Sequence, residues 1–193
     1  ITDTGLAHLR GLGLVVLDLS GTGVTDQGLA ELTTFTNLSA LYLSETKVTD
    51  RGMNHLLAMP KISELQLVNT DISDSGLVAL GQLKELTSLH LADTKVSGRG
   101  LPNLKGLRKL RYLNLGGTSI DDESVEYLVG LPQLNKVSLH GTDITMTGLL
   151  KLRACRKLRY LVVSENQITE QDEEQLLRVM PQLELQHYEP RSE

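Results

Sequence analysis

The sequence predicts an α/β solenoid, a curved horseshoe with a parallel sheet on its concave side and short helices on its convex side. Three observations carry this. Branched residues Val24, Val48, Ile72, Val96, Ile120, Ile144 and Ile168 recur every 24 positions, and Ile1 stands 23 before Val24. Within each unit the apolar spacing switches from two to three. The chain has no Trp, one Phe and five Tyr in 193 residues, so its core is aliphatic, which suits a stack of thin, similar layers.

Each unit opens with an L-x-x-L-x-L-x-x-T block, as in Leu38, Leu41, Leu43 and Thr46, or Leu86, Leu89, Leu91 and Thr94. Apolar residues two apart bury one face of a short strand. After the branched residue comes a variant of T-D-x-G-L, then apolar residues three apart, such as Leu29, Leu32, Phe35 and Leu38, the spacing of a short α- or 3₁₀-helix. Thr22, Thr46, Thr70, Thr94, Thr118 and Thr142 form a column at the strand ends, replaced by Asn166 in the next copy. Their hydroxyls are expected to satisfy buried backbone groups of the turn. Glycines four past the branched residue, from Gly5 and Gly28 to Gly148, give way only to Ser124 and Asp172, and are expected to mark close backbone packing at the corner where strand meets helix. The pattern makes residues 1–193 a single domain of about seven regular repeats. From about residue 168 a degraded repeat follows, in which Glu170, Gln171, Asp172, Glu173 and Glu174 predict a polar C-terminal cap. No amphipathic cover precedes the first repeat, so its apolar layer is expected to associate with itself or with more chain.

This unit, of the 24-residue L-x-x-L-x-L-x-x-T-x-V-T-D-x-G-L type, resembles the leucine-rich-repeat family over essentially the whole chain. The V-T-D-x-G-L block is similar to bacterial repeats of that family and, more distantly, to the repeats of F-box-type receptors, from which it departs in its shorter unit and in Thr where those carry Cys. The resemblance implies a recognition or scaffold module that binds a protein.

Composition narrows the alternatives. A net charge of −5 disfavours nucleic acid and anionic membrane as partners. No stretch approaches the roughly 18 apolar residues of a membrane span. The single cysteine, Cys155, excludes an internal disulfide and falls in the same column as Phe35, Met59 and Leu83, which reads as core. The five histidines do not converge: His8 and His55 fall on the helix side, His90 and His140 on strands two layers apart. With no P-loop, H-E-x-x-H or G-x-S-x-G motif, no catalytic site, metal site or cofactor is expected. An enzymatic role would come from a catalytic domain outside the chain, such as that of a ligase or effector.

Charge divides by edge. Asp3, Asp26, Asp50, Asp74 and Asp122 fall at helix starts, and Lys61, Lys84, Arg108, Lys109, Arg156 and Lys157 at helix ends, as the helix dipole favours. Of the 19 Lys and Arg, 13 follow residue 97. That places an acidic contact in the C-terminal half, and makes the basic edge the site of any polyanion binding. Between the inward leucines the outward positions are irregular. One column reads Val16, Ala40, Glu64, Ser88, Tyr112, Lys136, Tyr160, and the next Asp18, Tyr42, Gln66, His90, Asn114, Ser138, Val162. Tyr beside cations is typical of contact surfaces. The predicted partner-binding face therefore comprises Tyr42, His90, Arg111, Tyr112, Asn114, Lys136, His140, Arg159 and Tyr160.

Overall fold

A computed structural model describes residues 1–164 and 168–188; Asn166 lies outside the described residues. Eight strands form one parallel sheet in chain order: β1 (Val16–Asp18), β2 (Ala40–Tyr42), β3 (Glu64–Gln66), β4 (Ser88–His90), β5 (Tyr112–Asn114), β6 (Lys136–Ser138), β7 (Tyr160–Ser164) and β8 (Glu184–Tyr188). Every pairing joins residues 24 apart, from Leu17 with Leu41 to Leu161 with Leu185. The sequence period is thus the register of the sheet, and each outward column is a row of adjacent side chains.

The return segments are short. Helices α1 (Asp3–Leu6), α2 (Asp26–Glu31), α3 (Gly76–Leu80), α4 (Val125–Val129), α5 (Met146–Lys151) and α6 (Glu170–Val179) alternate or combine with 3₁₀ turns such as Gly52–Ala58 and Leu101–Gly106. Thr25 and Thr145 cap α2 and α5, each hydroxyl accepting from the backbone N–H two residues on. Between the layers runs one continuous aliphatic core from Leu6 to Leu183, in which strand residues such as Leu65, Leu89 and Leu113 are fully buried. Each such Leu contributes about 1.5–3 kcal/mol by leaving water.

The Thr column acts as expected. Thr22, Thr46, Thr70, Thr94, Thr118 and Thr142 each donate to the carbonyl three residues back, at 2.5–2.7 Å. Just before each Thr the chain turns through left-handed backbone, at Gly21, Glu45, Asn69, Asp93, Gly117 and Gly141 with φ of 52–66°. Three of the six are not glycine and bear the strain of that region.

The Asp column does more than the dipole argument assigned to it. Asp26 accepts from the Thr49 N–H (2.7 Å) and hydroxyl (2.6 Å) of the following layer. Asp3, Asp50, Asp74 and Asp122 bind Thr25, Ser73, Ser97 and Thr145 in the same way. These carboxylates clamp neighbouring layers together along the edge where strand passes to helix.

The clamp also explains the glycine column. A Cβ on Gly76 would lie 2.6 Å from Asp50 Oδ1, and one on Gly100 2.5 Å from Asp74 Oδ1, with still closer approaches at Gly28, Gly52 and Gly148. Backbone crowding is therefore not the cause; the previous layer's carboxylate occupies the space. The two exceptions confirm it. Gly98 stands in the Asp column, and the following layer carries Ser124, whose Oγ fills the vacated space and donates to Asp121 at 2.5 Å. Met146 also stands in the Asp column, and Thr169 of the next layer donates its N–H and hydroxyl to Asp172 instead, in a capping box that opens α6.

Beyond that box the eighth layer is irregular. Helix α6 has ten residues, Gln186 is half-buried and His187 is exposed. On the first layer Leu6 is buried and Leu9 half-buried, whereas Leu12, Val15 and Val16 are exposed.

Candidate concave interaction surface

The outward side chains of β4 to β8 form the candidate site. Tyr112, Lys136 and Tyr160 are neighbours in one row, in register across β5, β6 and β7. The Tyr112 ring meets His90 edge-on with centroids 4.7 Å apart. Lys136 Nζ lies 5.3 Å from the centre of the same ring and donates to Gln186 Oε1 at 3.1 Å. The Lys136 stem thus lies along the face instead of projecting from it. Ser88 Oγ lies 3.1 Å from His90 Nε2. Three predicted residues, His90, Tyr112 and Lys136, are therefore in direct contact, and Tyr160 stands beside them, half-buried.

The surroundings shift the titratable groups. Burial lowers the His90 imidazole below its usual value, with Lys136 acting in the same direction and the Glu64 carboxylate opposing. Burial raises the Tyr112 phenol. At the other end of the face Tyr42 is raised too, by burial first and then by Glu64. Tyr42 is separated by β3 from the Tyr112 cluster, which begins with His90 on β4, and forms no part of it.

Two predicted residues have roles other than open contact. Asn114 turns back on its own strand end, where its Oδ1 accepts from the Gly116 N–H at 3.1 Å. His140 needs correction. It is only 8% exposed, its Nδ1 lies 2.8 Å from Ser138 Oγ, and its ring is stacked under Tyr188 at 3.7 Å. It also rests on Gly116, where a Cβ would collide with the imidazole. Burial holds the ring's pKa below the ordinary value, opposed by Asp93. The physical reason is the small residue on either side: with Gly116 and Ser164 in its row, His140 can lie flat and Tyr188 can lean over it.

Arg111 and Arg159 stand at the entry to β5 and β7, immediately before Tyr112 and Tyr160, and both are exposed. Among the described residues neither guanidinium has an ion pair or hydrogen bond. The basic edge behind them is largely occupied by its own neighbours: Lys61 donates to Asn37, Lys109 to Glu85 and Lys157 to Gln133, each one layer back, and Lys84 to the carbonyl of Gly81. Gln186 and Tyr188 are absent from the predicted face because the degraded eighth repeat reads as a cap. Continuing the 24-residue columns from Val162 and Ser164 reaches both.

Cys155 is buried in the core, where burial pushes its thiol up to about 11. Among the described residues no three His, Cys, Asp or Glu side chains are placed to hold a metal ion. No described helix is long and apolar enough to cross a membrane.

A family model described as leucine-rich repeat matches residues 14–32, 58–81, 106–129 and 154–171, successive turns of this same solenoid. The chain belongs to the leucine-rich-repeat family. Solved structures of the same fold include an internalin (inlF) of Listeria monocytogenes, with TM-score 0.75 and 24% identity over 97% of this chain and 51% of that one. A second internalin of that organism gives TM-score 0.62 and 22% identity, over 97% of this chain and 84% of the other. A leucine-rich-repeat protein of Leptospira interrogans gives 0.60 and 18%, over 93% and 50%. The chain thus spans about half the length of the first and third of these. No curated protein matches it.

Proposed function

We propose that this leucine-rich-repeat domain is a protein-interaction module that holds its partner on the concave face, over β5 to β7. One observation carries the reading: the strand register sets Tyr112, Lys136 and Tyr160 side by side, with Arg111 and Arg159, exposed and without an ion pair among the described residues, at their lip. Rigid amphipathic rings next to cations on a stiff sheet give contact area at little cost in side-chain entropy. The surface requires no group that forms or breaks bonds, and the domain acts by binding.

The test compares capture of the native partner by the wild type and by the Tyr112→Ala, Lys136→Ala, Tyr160→Ala triple variant. Truncating anchor residues costs on the order of 2 kcal/mol apiece, so capture by the variant is lost while its urea midpoint stays close to the wild type. Lys61→Glu is the edge control; Lys84 is unsuitable because it caps the end of α3. Full affinity in the triple variant with loss in the edge control would place the contact on the rim instead.

A further inference from the structure

Resting on that reading, we infer that the concave face takes an acidic, proline-containing segment in the polyproline II conformation, crossing β5 to β7. Its carboxylates, three residues apart, pair with Arg111 and Arg159, and its prolines pack on Tyr112 and Tyr160. Asn135 N–H donates to Arg111 C=O and Arg159 N–H to Asn135 C=O, both at 2.8 Å, so the two arginines stand two strand spacings apart. So do the two tyrosines. Two spacings of a parallel sheet are about 10 Å.

An extended β-strand repeats its side chains on one face about every 6.6 Å, which fits neither pair. Polyproline II repeats every third residue, about 9.3 Å, which fits both. A helix repeats near 10.5 Å after two turns, but its intermediate turn would fall over β6, where Lys136 already lies along the face toward Gln186. Polyproline II segments also dock on aromatic rings at low entropic cost, because their backbone is ordered beforehand.

Charge completes the case. Arg108 and Arg156 stand three residues before Arg111 and Arg159 and are exposed as well. Among the described residues of this lip, Glu85 pairs with Lys109, while Glu184, in register with Tyr160, accepts only from the neutral Gln186 amide and keeps its charge; Arg108, Arg111, Arg156 and Arg159 outnumber it. The remaining cations are therefore available, and a planar guanidinium holds a carboxylate by two parallel bonds.

The experiment measures fluorescence anisotropy with a labelled peptide of three Glu-Pro-Pro repeats. Controls are a Gln-Pro-Pro peptide, a peptide with Glu at alternate positions, and a single-stranded DNA of equal charge. The Glu-Pro-Pro peptide is expected to bind at least tenfold tighter than each control. Arg111→Gln with Arg159→Gln should lose tenfold or more while keeping the wild-type urea midpoint, and Lys61→Glu should change affinity less than twofold. Equal binding of the Gln-Pro-Pro peptide, undiminished binding by the double arginine variant, or equal binding of the DNA would each overturn the inference. A peptide array separates this from the broader reading. If Glu-Pro-Pro fails but other members bind in a manner lost on Tyr112→Ala with Tyr160→Ala, the concave face stands and only the ligand class falls. If no member depends on those tyrosines, both fall.

Discussion

Asp50 and Gly76 are predicted to be energetically coupled although they lie in successive layers. Asp50 accepts two hydrogen bonds, from the Ser73 N–H at 2.7 Å and the Ser73 hydroxyl at 2.5 Å. Asp50→Ala leaves both donors half-buried without the carboxylate, and hydrogen bonds to a charged group contribute about 1.5–3 kcal/mol. We expect a loss of about 2 kcal/mol, equivalent to roughly 4–8 °C in Tm for a chain of this size. In Gly76→Ala the new Cβ would sit 2.6 Å from Asp50 Oδ1, and such overpacking costs about 1–3 kcal/mol. Gly76 also opens α3, where Ala is favoured over Gly by up to about 1 kcal/mol. In the double variant the carboxylate is gone, so the clash disappears and the helix preference remains. The double variant should therefore be more stable than the sum of the single losses by about 1–2 kcal/mol. Urea unfolding followed by circular dichroism, with m-values checked for constancy, measures all four corners of the cycle. Additivity within about 0.5 kcal/mol would refute the idea that the carboxylate dictates the glycine.

Thr118→Val should cost about 1–3 kcal/mol, because the Leu115 carbonyl loses the Thr118 hydroxyl in a buried site. Thr87→Val should cost under about 0.5 kcal/mol, since the Ser63 carbonyl that accepts its hydroxyl also accepts the N–H groups of Thr87 and Ser88; equal urea midpoints for the two variants would sink the distinction. Glu45→Gly, at φ 58°, should raise Tm by relieving up to about 1 kcal/mol of left-handed strain, and a lower Tm in scanning calorimetry would contradict this. Stability should also depend on pH through His140. Its folded pKa is lowered by burial, so protonation favours the unfolded chain. The contribution is fully present above the unfolded value near about 6.5 and is lost as the pH falls through the folded pKa. Accordingly, His140→Gln should flatten the decline in urea midpoint between about pH 7 and 5, and an unchanged slope would show that this ring carries none of it.

Much of this was legible because a solenoid converts sequence period into spatial register. With every layer 24 residues long, columns of the sequence become rows of the sheet, and the hydroxyl of each column Thr reaches a carbonyl of its own layer. The row of Tyr112, Lys136 and Tyr160 follows from the same arithmetic. Contacts that depend on side-chain reach were not legible. The outward position of His140 predicts exposure, yet its burial depends on Tyr188 leaning across Ser164 from two layers away.

The layer, its strand and helix halves, the aliphatic core and the Thr ladder all follow from the order of residues alone, since they depend on residue type and spacing within one unit. Tertiary structure decided what passes between units. It turned Asp3, Asp26, Asp50, Asp74 and Asp122 from rim charges into clamps, and it gave the glycine column and its two exceptions, Ser124 and Asp172, a single cause in the volume of one carboxylate. It also separated cations bound to a neighbouring layer, such as Lys109 and Lys157, from Arg111 and Arg159, which have no such bond among the described residues. The reason is geometric: residues 22 to 24 apart meet at hydrogen-bond distance only once the layers are stacked, and which atoms then meet depends on the curvature of the stack and on side-chain length.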